Sequence, residues 1–143
     1  MSEEILGIFP AWIPKGPLPL KQEYKLVFTT DRLIVARRKR LFGLSLLTHP
    51  EYIISRASAL ERMRMKESAS AESILKDDAE NFEIPYSVIT VVDVEEHGKG
   101  YPFDLKVFTD DLYVSKYKFK IDLMYRYFDE FMGFLRTVLP DKV

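Results

Sequence analysis

The sequence predicts an α+β protein that is mainly β: an antiparallel split barrel or curved sheet of about seven strands, with a helical insertion and a capping C-terminal helix. Three observations predict this fold. Apolar and polar side chains alternate with a period of two in two separate blocks. A helix-forming, small and polar stretch lies between those blocks, and the end of the chain carries apolar residues at helical spacing. With 143 residues, 47% of them hydrophobic, the chain matches one folded domain, 1–143.

The chain begins with a proline-rich stretch, in which residues 10–19 contain four prolines. Proline fixes φ and lacks the backbone donor, so this stretch is predicted to form neither a helix nor a central strand. We expect an extended segment that lies over the domain, held there by Trp12.

The first meander is predicted over 20–38, and a β-hairpin is its clearest part. Alternating residues from Tyr24 to Thr29 indicate one strand, and the run 33–36 (Leu-Ile-Val-Ala) indicates the return strand. The intervening Thr-Asp-Arg sequence supplies turn formers.

Residues 39–81 break the β pattern and are predicted to form a helical or mobile insertion. Ser58 and Glu61 have the spacing of a capping box, which predicts a helix over 57–67 and a second turn to about 78. The small polar run 68–73 is a candidate for disorder.

The second meander is predicted over 82–121, with a turn at 97–100 and a last strand over 112–121. In that strand three lysines alternate with aromatic and aliphatic residues, which predicts one cationic and one apolar face. Leu112 and Val114 share the parity of the lysines, so we expect a bulge or bend near Ser115.

The last element is predicted to be a capping helix over 122–139. Its apolar residues recur every three to four positions, from Leu123 to Val138. Asp122 is the predicted N-cap, and Pro140 lies where a helix cannot continue.

Two segments carry a family resemblance. The sequence from Tyr24 to Ile34 resembles a hairpin of pleckstrin-homology-like and GRAM-like domains, and Ile84 to Val92 resembles the following strand entry. The resemblance covers about two-thirds of the chain. It implies a split barrel closed by a terminal helix and a general role as a binding or assembly platform. In pleckstrin-like domains, basic loops often bind phospholipid headgroups.

Composition excludes several kinds of chemistry. The chain has no cysteine, which excludes disulfides, thiolate zinc sites and cysteine nucleophiles. The two histidines, His49 and His97, lie in loops with no evident partner, and the acidic pairs lie at turns. No nucleophile elbow or glycine-rich phosphate loop occurs. We therefore expect no enzyme, no cofactor and no metal site. The first residues lack the pattern of a signal peptide, which predicts a cytoplasmic protein.

Charge is distributed unevenly along the chain, although the net charge is only −1. Residues 1–66 carry +6 and residues 67–143 carry −7. The small total argues against a globally basic nucleic-acid binder, so no nucleic acid is expected as a partner. The segregation allows a dipolar surface, unless folding interleaves the two halves.

The densest basic run predicts the contact site. The lipid- or anion-binding residues are predicted to be Arg37, Arg38, Lys39 and Arg40, and the apolar contacts Leu41 and Phe42. Cations beside apolar side chains suit an anionic membrane surface. The alternative is that 41–47 is buried in the core or in an oligomer interface.

A second basic feature is the lysine stripe 116, 118 and 120, which together with Lys25 is either a phosphate-binding row or a solvated strand face. These features favour a non-catalytic binding module that contacts a phospholipid surface or a protein partner. The alternative is a structural homo-oligomerisation domain.

Overall fold

The computed structural model describes residues 3–15, 20–37, 70–98, 102–121, 123 and 127–143. Within these ranges the chain forms seven strands and two helices. The strands are β1 Ile5–Lys15, β2 Leu20–Thr29, β3 Arg32–Arg37, β4 Phe82–Pro85, β5 Ile89–Glu95, β6 Phe103–Thr109 and β7 Lys116–Ile121. The helices are α1 Ala71–Lys76 and α2 Phe128–Val138, and a 3-10 turn at Tyr86–Val88 joins β4 to β5.

The strands form one open sheet in the order β4-β3-β2-β1-β7-β6-β5. Every neighbouring pair is antiparallel, and pairing of β1 with β7 joins a four-stranded meander to a three-stranded one. A mainly β fold with a C-terminal helix is thereby confirmed. The first meander extends beyond the predicted range 20–38, because it includes β1 before that range and β4 after the insertion.

The prediction that the proline-rich stretch avoids a central strand is wrong. Strand β1 contains Pro10 and Pro14 and lies between β2 and β7. The two prolines are an even number of residues apart, so their nitrogens face the same side of β1. The ladder with β7 involves only Ala11 and Trp12 of β1, so neither proline lies in that ladder.

The inner face of the sheet packs against α2 and forms the main core. The ring of Phe9 has its centroid 5.1 Å from that of Phe131 and 4.8 Å from that of Phe134, in edge-to-face geometry. Gly7 allows this close approach, because a Cβ there would lie 2.7 Å from the Phe134 ring. The amphipathic C-terminal helix is confirmed, with Phe131 and Leu135 fully buried.

The predicted start of that helix is wrong. Helix α2 begins at Phe128 after Tyr127, and Leu123 lies buried outside it. The predicted N-cap, Asp122, lies outside the described residues. The apolar stripe predicts which residues pack on the sheet. It does not show where the helix begins, because the buried residues before the helix continue the same spacing.

The outer face of the first meander carries a second core beneath α1. It consists of Ile8, Val27, Ile34 and Ala36 from the sheet and Ala71 and Ile74 from α1. Ser70 caps this helix, since its hydroxyl accepts from the Ser73 main-chain N–H at 3.2 Å. The run 68–73, a candidate for disorder in the sequence, thus contains an ordered helix start. The predicted helix over 57–67 lies outside the described residues.

The open edges of the sheet are partly covered. On β5, the Val92 N–H donates to the Lys142 carbonyl at 2.8 Å, so the residues after α2 close part of that edge. Strand β4 is only four residues long and ends in Pro85. Neither helix in the described ranges has the length and apolar character needed to cross a bilayer.

Candidate functional site

Of the predicted basic site, the structure describes Arg37 at the end of β3. Its guanidinium lies 2.8 Å from the Glu80 carboxylate and 4.0 Å from that of Asp78, both just beyond α1. Its main-chain N–H donates to the Asn81 side chain at 2.7 Å. Arg37 is therefore paired with acids of its own chain, which leaves less of its charge for a lipid headgroup.

The rest of that predicted site, Arg38, Lys39, Arg40, Leu41 and Phe42, lies outside the described residues, so it stays a prediction. Beside Arg37, a shallow cleft of about 310 Å³ separates α1 from β2 and β3. Its lining combines both charge signs with apolar groups: Lys25, Ala36, Arg37, Ser73, Ile74, Asp77 and Asn81.

The predicted alternation along β7 is confirmed. The lysines at 116, 118 and 120 lie on the outer face, whereas Phe119 and Ile121 are buried in the main core. Lys25 lies on β2, and β1 separates it from β7. The predicted stripe is therefore not a single row of neighbouring cations.

A buried carboxylate, Asp104, organises this lysine face. It lies on β6 directly opposite Lys120, and its side chain is only 3% exposed. The Lys120 ammonium is 2.6 Å from Oδ1, and Lys118 is 3.6 Å from Oδ2. The His97 Nε2 atom lies 2.9 Å from Oδ2. Sequence analysis found no partner for His97, and the structure provides one.

Two opposing effects set the ionisation of Asp104. Burial raises the pKa of this carboxyl, but the interactions with Lys120 and His97 lower it more, so the net pKa lies below the ordinary value. Asp104 is therefore a carboxylate at neutral pH. Its carboxylate contacts three basic side chains, those of Lys118, Lys120 and His97.

The same cluster has the spacing of a metal site. One potential ligand atom each from Glu95, His97 and Asp104 lies within 4.8 Å of the others. Ammonium groups already contact both carboxylates, with Lys106 lying 3.0 Å from Glu95. A cation would have to displace these ammoniums, so the arrangement fits an ion-pair network better than a metal centre.

A second charged cluster has the opposite arrangement, with one cation among carboxylates. The Arg32 guanidinium donates to Glu3 at 3.0 Å, to Glu72 at 2.9 Å and to Glu83. Hydrogen bonds with Glu3 contribute most to raising the pKa of Arg32. These contacts join the start of the chain, α1 and β4 to the hairpin turn.

The segment 109–115, from the last residue of β6 to the residue before β7, is here called the tip. It presents the most exposed large apolar side chains in the described residues. Leu112 is 96% exposed and Tyr113 is 94% exposed. The predicted strand start at Leu112 is wrong because β7 begins at Lys116. The chain bends at Leu112 and Tyr113, close to the bulge or bend predicted near Ser115.

Hydrogen bonds within the tip explain why the strand starts late. The Asp111 carboxylate accepts from the Tyr113 N–H at 2.7 Å, and the Thr109 hydroxyl donates to the Val114 carbonyl at 2.6 Å. The Thr109 N–H donates to the Ser115 carbonyl at 3.0 Å, which closes the loop. These bonds fix the backbone and direct Leu112 and Tyr113 into solvent.

Sequence reasoning missed Asp104 and the tip, although signals for both were present. The parity conflict at Leu112 and Val114 indicates a bulge or bend, but it does not show that the strand begins only at Lys116. Asp104 stands between Phe103 and Leu105, which places an acid on the outer face. Its position opposite Lys120 follows only from the strand register.

Comparisons with known proteins add little. No family model matches the chain, and no curated protein matches it. One similar solved structure is described as the C-terminal domain of an unknown protein from Leishmania infantum. That structure has 14% sequence identity and a TM-score of 0.48, over 96% of this chain and 85% of the other.

Proposed function

We propose that this chain is a non-catalytic binding module with a pleckstrin-homology-like split barrel, and that it contacts a partner protein through the tip. The observation that carries the proposal is the near-complete exposure of Leu112 and Tyr113 on a hydrogen-bonded turn. Tyrosine is among the residues that contribute most to protein interfaces when a partner buries it.

The scaffold supports this role. Two antiparallel meanders meet at β1 and β7, and α2 covers the inner face. The tip connects two strands of this framework, so its backbone is held at both ends. Rigid strands that present an exposed loop are a common arrangement for recognition.

Preorganisation of the tip favours binding. Ordering a flexible loop upon association costs free energy, and a turn already fixed by hydrogen bonds avoids much of that cost. The Asp111 carboxylate also lies within 3.4 Å of the Val114 nitrogen, so one acid holds two consecutive amides. Leu112 and Tyr113 therefore bind as fixed anchors.

The experiment compares affinity purification of the wild type, the double variant Leu112→Ser with Tyr113→Ser, and the control Val143→Ser. Val143 is another exposed apolar residue, distant in sequence from the tip. We expect the wild type and the control to capture a protein that the tip variant does not capture. The captured protein is then purified and titrated directly by calorimetry, where the tip variant binds at least about a hundredfold more weakly. Equal binding by all three chains would contradict the proposal.

A second candidate is contact with an anionic phospholipid surface through Arg37–Arg40, Leu41 and Phe42. It rests on the density of basic residues beside apolar ones in the sequence. Sedimentation with phosphatidylcholine vesicles containing phosphatidylserine tests it. Loss of binding in Arg38→Glu with Arg40→Glu supports it, and absence of binding by the wild type rejects it.

Homo-oligomerisation is the remaining alternative, and light scattering at increasing protein concentration measures it. A constant monomer mass would argue against self-association. A concentration-dependent dimer that disappears in the tip variant would identify a second copy of the chain as the partner.

A further inference from the structure

We infer that the partner of the tip offers an apolar cleft bordered by lysine or arginine side chains. This inference rests on the proposed function, and it specifies the chemistry of the surface that receives Leu112 and Tyr113. Both anchors directly follow two exposed acidic residues, Asp110 and Asp111. A surface that buries the anchors must therefore also accommodate these acids.

The acids are fixed beside the anchors. The Asp110 main-chain N–H donates to the Val88 carbonyl at 2.9 Å, which holds the residue at the base of the tip while its side chain stays exposed. The Asp111 carboxylate accepts hydrogen bonds from amides of the tip. Neutral amide donors do not cancel a negative charge, so the tip presents acidic groups around an apolar centre.

The two lysines that follow the tip most closely in the sequence contact other groups. The Lys116 ammonium lies 5.8 Å from the centroid of the Phe108 ring, and Lys118 lies 3.6 Å from the Asp104 carboxylate. An anionic phospholipid surface would repel this tip, whereas basic groups around an apolar cleft would attract it.

The test is photo-crosslinking in cells that express the full chain. A benzophenone amino acid replaces Val114, which is 38% exposed and lies beside both anchors without replacing either. The control probe replaces Thr137, an exposed residue on α2. We expect a protein adduct from position 114 alone, and mass spectrometry should map it to a partner segment containing Lys or Arg.

Charge variants then separate the inference from the proposed function. With the probe at position 114, Asp110→Lys should lower the adduct yield by about tenfold, because rim charges control encounter. Asp141→Lys changes another exposed acid and should leave the yield unchanged. Leu112→Ser should abolish the adduct.

Each outcome has a distinct meaning. If a protein adduct forms but is insensitive to Asp110→Lys, or maps to a segment without basic residues, the inference fails and the proposed function stands. If position 114 gives no protein adduct above the control probe, or an adduct with lipid alone, both fail.

Discussion

The Arg32 and Asp104 clusters are electrostatic opposites, and they connect different parts of the fold. Arg32 binds Glu3, Glu72 and Glu83, which are 29, 40 and 51 residues away in the chain. Asp104 binds side chains from the adjacent strand β7 and from the residues after β5. The first cluster therefore holds distant segments together, whereas the second maintains the register of neighbouring strands.

The largest expected effect comes from removing the Arg32 cation. Arg32→Met keeps much of the side-chain length but removes the cation that three carboxylates share. Glu72 then retains only Lys76, 3.6 Å away. We expect a loss of about 2–3 kcal/mol in the free energy of unfolding. Urea unfolding measures it. Arg136→Met, at an exposed position of α2, is the control, and we expect it to lower the free energy of unfolding by less than about 0.5 kcal/mol. Equal losses in both variants would show that Arg32 has no special role.

A smaller loss is expected when the Asp104 charge is removed. Asp104→Asn preserves the shape of the side chain, but it leaves Lys118, Lys120 and His97 without their shared anion. Both lysines can move toward solvent, so we expect the free energy of unfolding, measured with urea, to fall by only about 1–2 kcal/mol. Thr90→Ala on the neighbouring strand β5 removes an exposed hydroxyl and serves as the control. If Asp104→Asn leaves the free energy of unfolding unchanged, the strand register does not depend on the cluster.

Acid should weaken both clusters. Burial raises the pKa of Glu3 and of Asp104, but contacts with Arg32 and with Lys120 outweigh it, so both folded pKa values are lowered. Each carboxylate therefore stabilises the fold fully above its unfolded pKa of about 4, and this contribution disappears as the pH falls through the folded value. Unfolding free energy should be level from pH 7 to about 5 and decrease below about 4.

The Asp104→Asn variant sharpens the pH experiment. Its free energy of unfolding should lie closer to that of the wild type at pH 3 than at pH 7, because acid protonates the wild-type carboxyl. A deficit that grows as the pH falls would have the wrong sign for an anion stabilised by cations.

A still smaller loss is expected at the helix that supplies Glu72 to the Arg32 cluster. Ser70→Ala removes the N-cap of α1 and should lower the free energy of unfolding by about 1 kcal/mol. Ser87→Ala in the 3-10 turn, where no side-chain cap is present, is the matched control. Chemical denaturation of both variants provides the comparison, and a cost equal to that of Arg32→Met would assign the main stabilising role to the cap instead.

Local periodicity predicted the parts of the fold that depend on neighbouring residues. The hairpin of β2 and β3 and the two faces of β7 follow from alternation, and the apolar stripe identified α2. The central position of β1 could not be predicted, because proline is tolerated there only when pairing on one side is short. That condition depends on β7, more than a hundred residues later.

The site residues were harder to predict, for a related reason. Arg37 belongs to a basic run in the sequence, but acids beyond α1 pair with it in space. Asp104 looked like an isolated acid until strand register placed it opposite Lys120. Leu112 resembled a strand residue because hydrogen bonds within the tip are not evident from hydropathy.

The central claim is that the charged clusters maintain the fold, whereas the tip serves contact alone. The free energy of unfolding of the Leu112→Ser, Tyr113→Ser double variant tests this claim most directly. We predict a value within about 0.5 kcal/mol of wild type, because surface substitutions away from buried features cost little. A loss above about 1.5 kcal/mol would contradict the account, since it would show that these side chains contribute to the folded core.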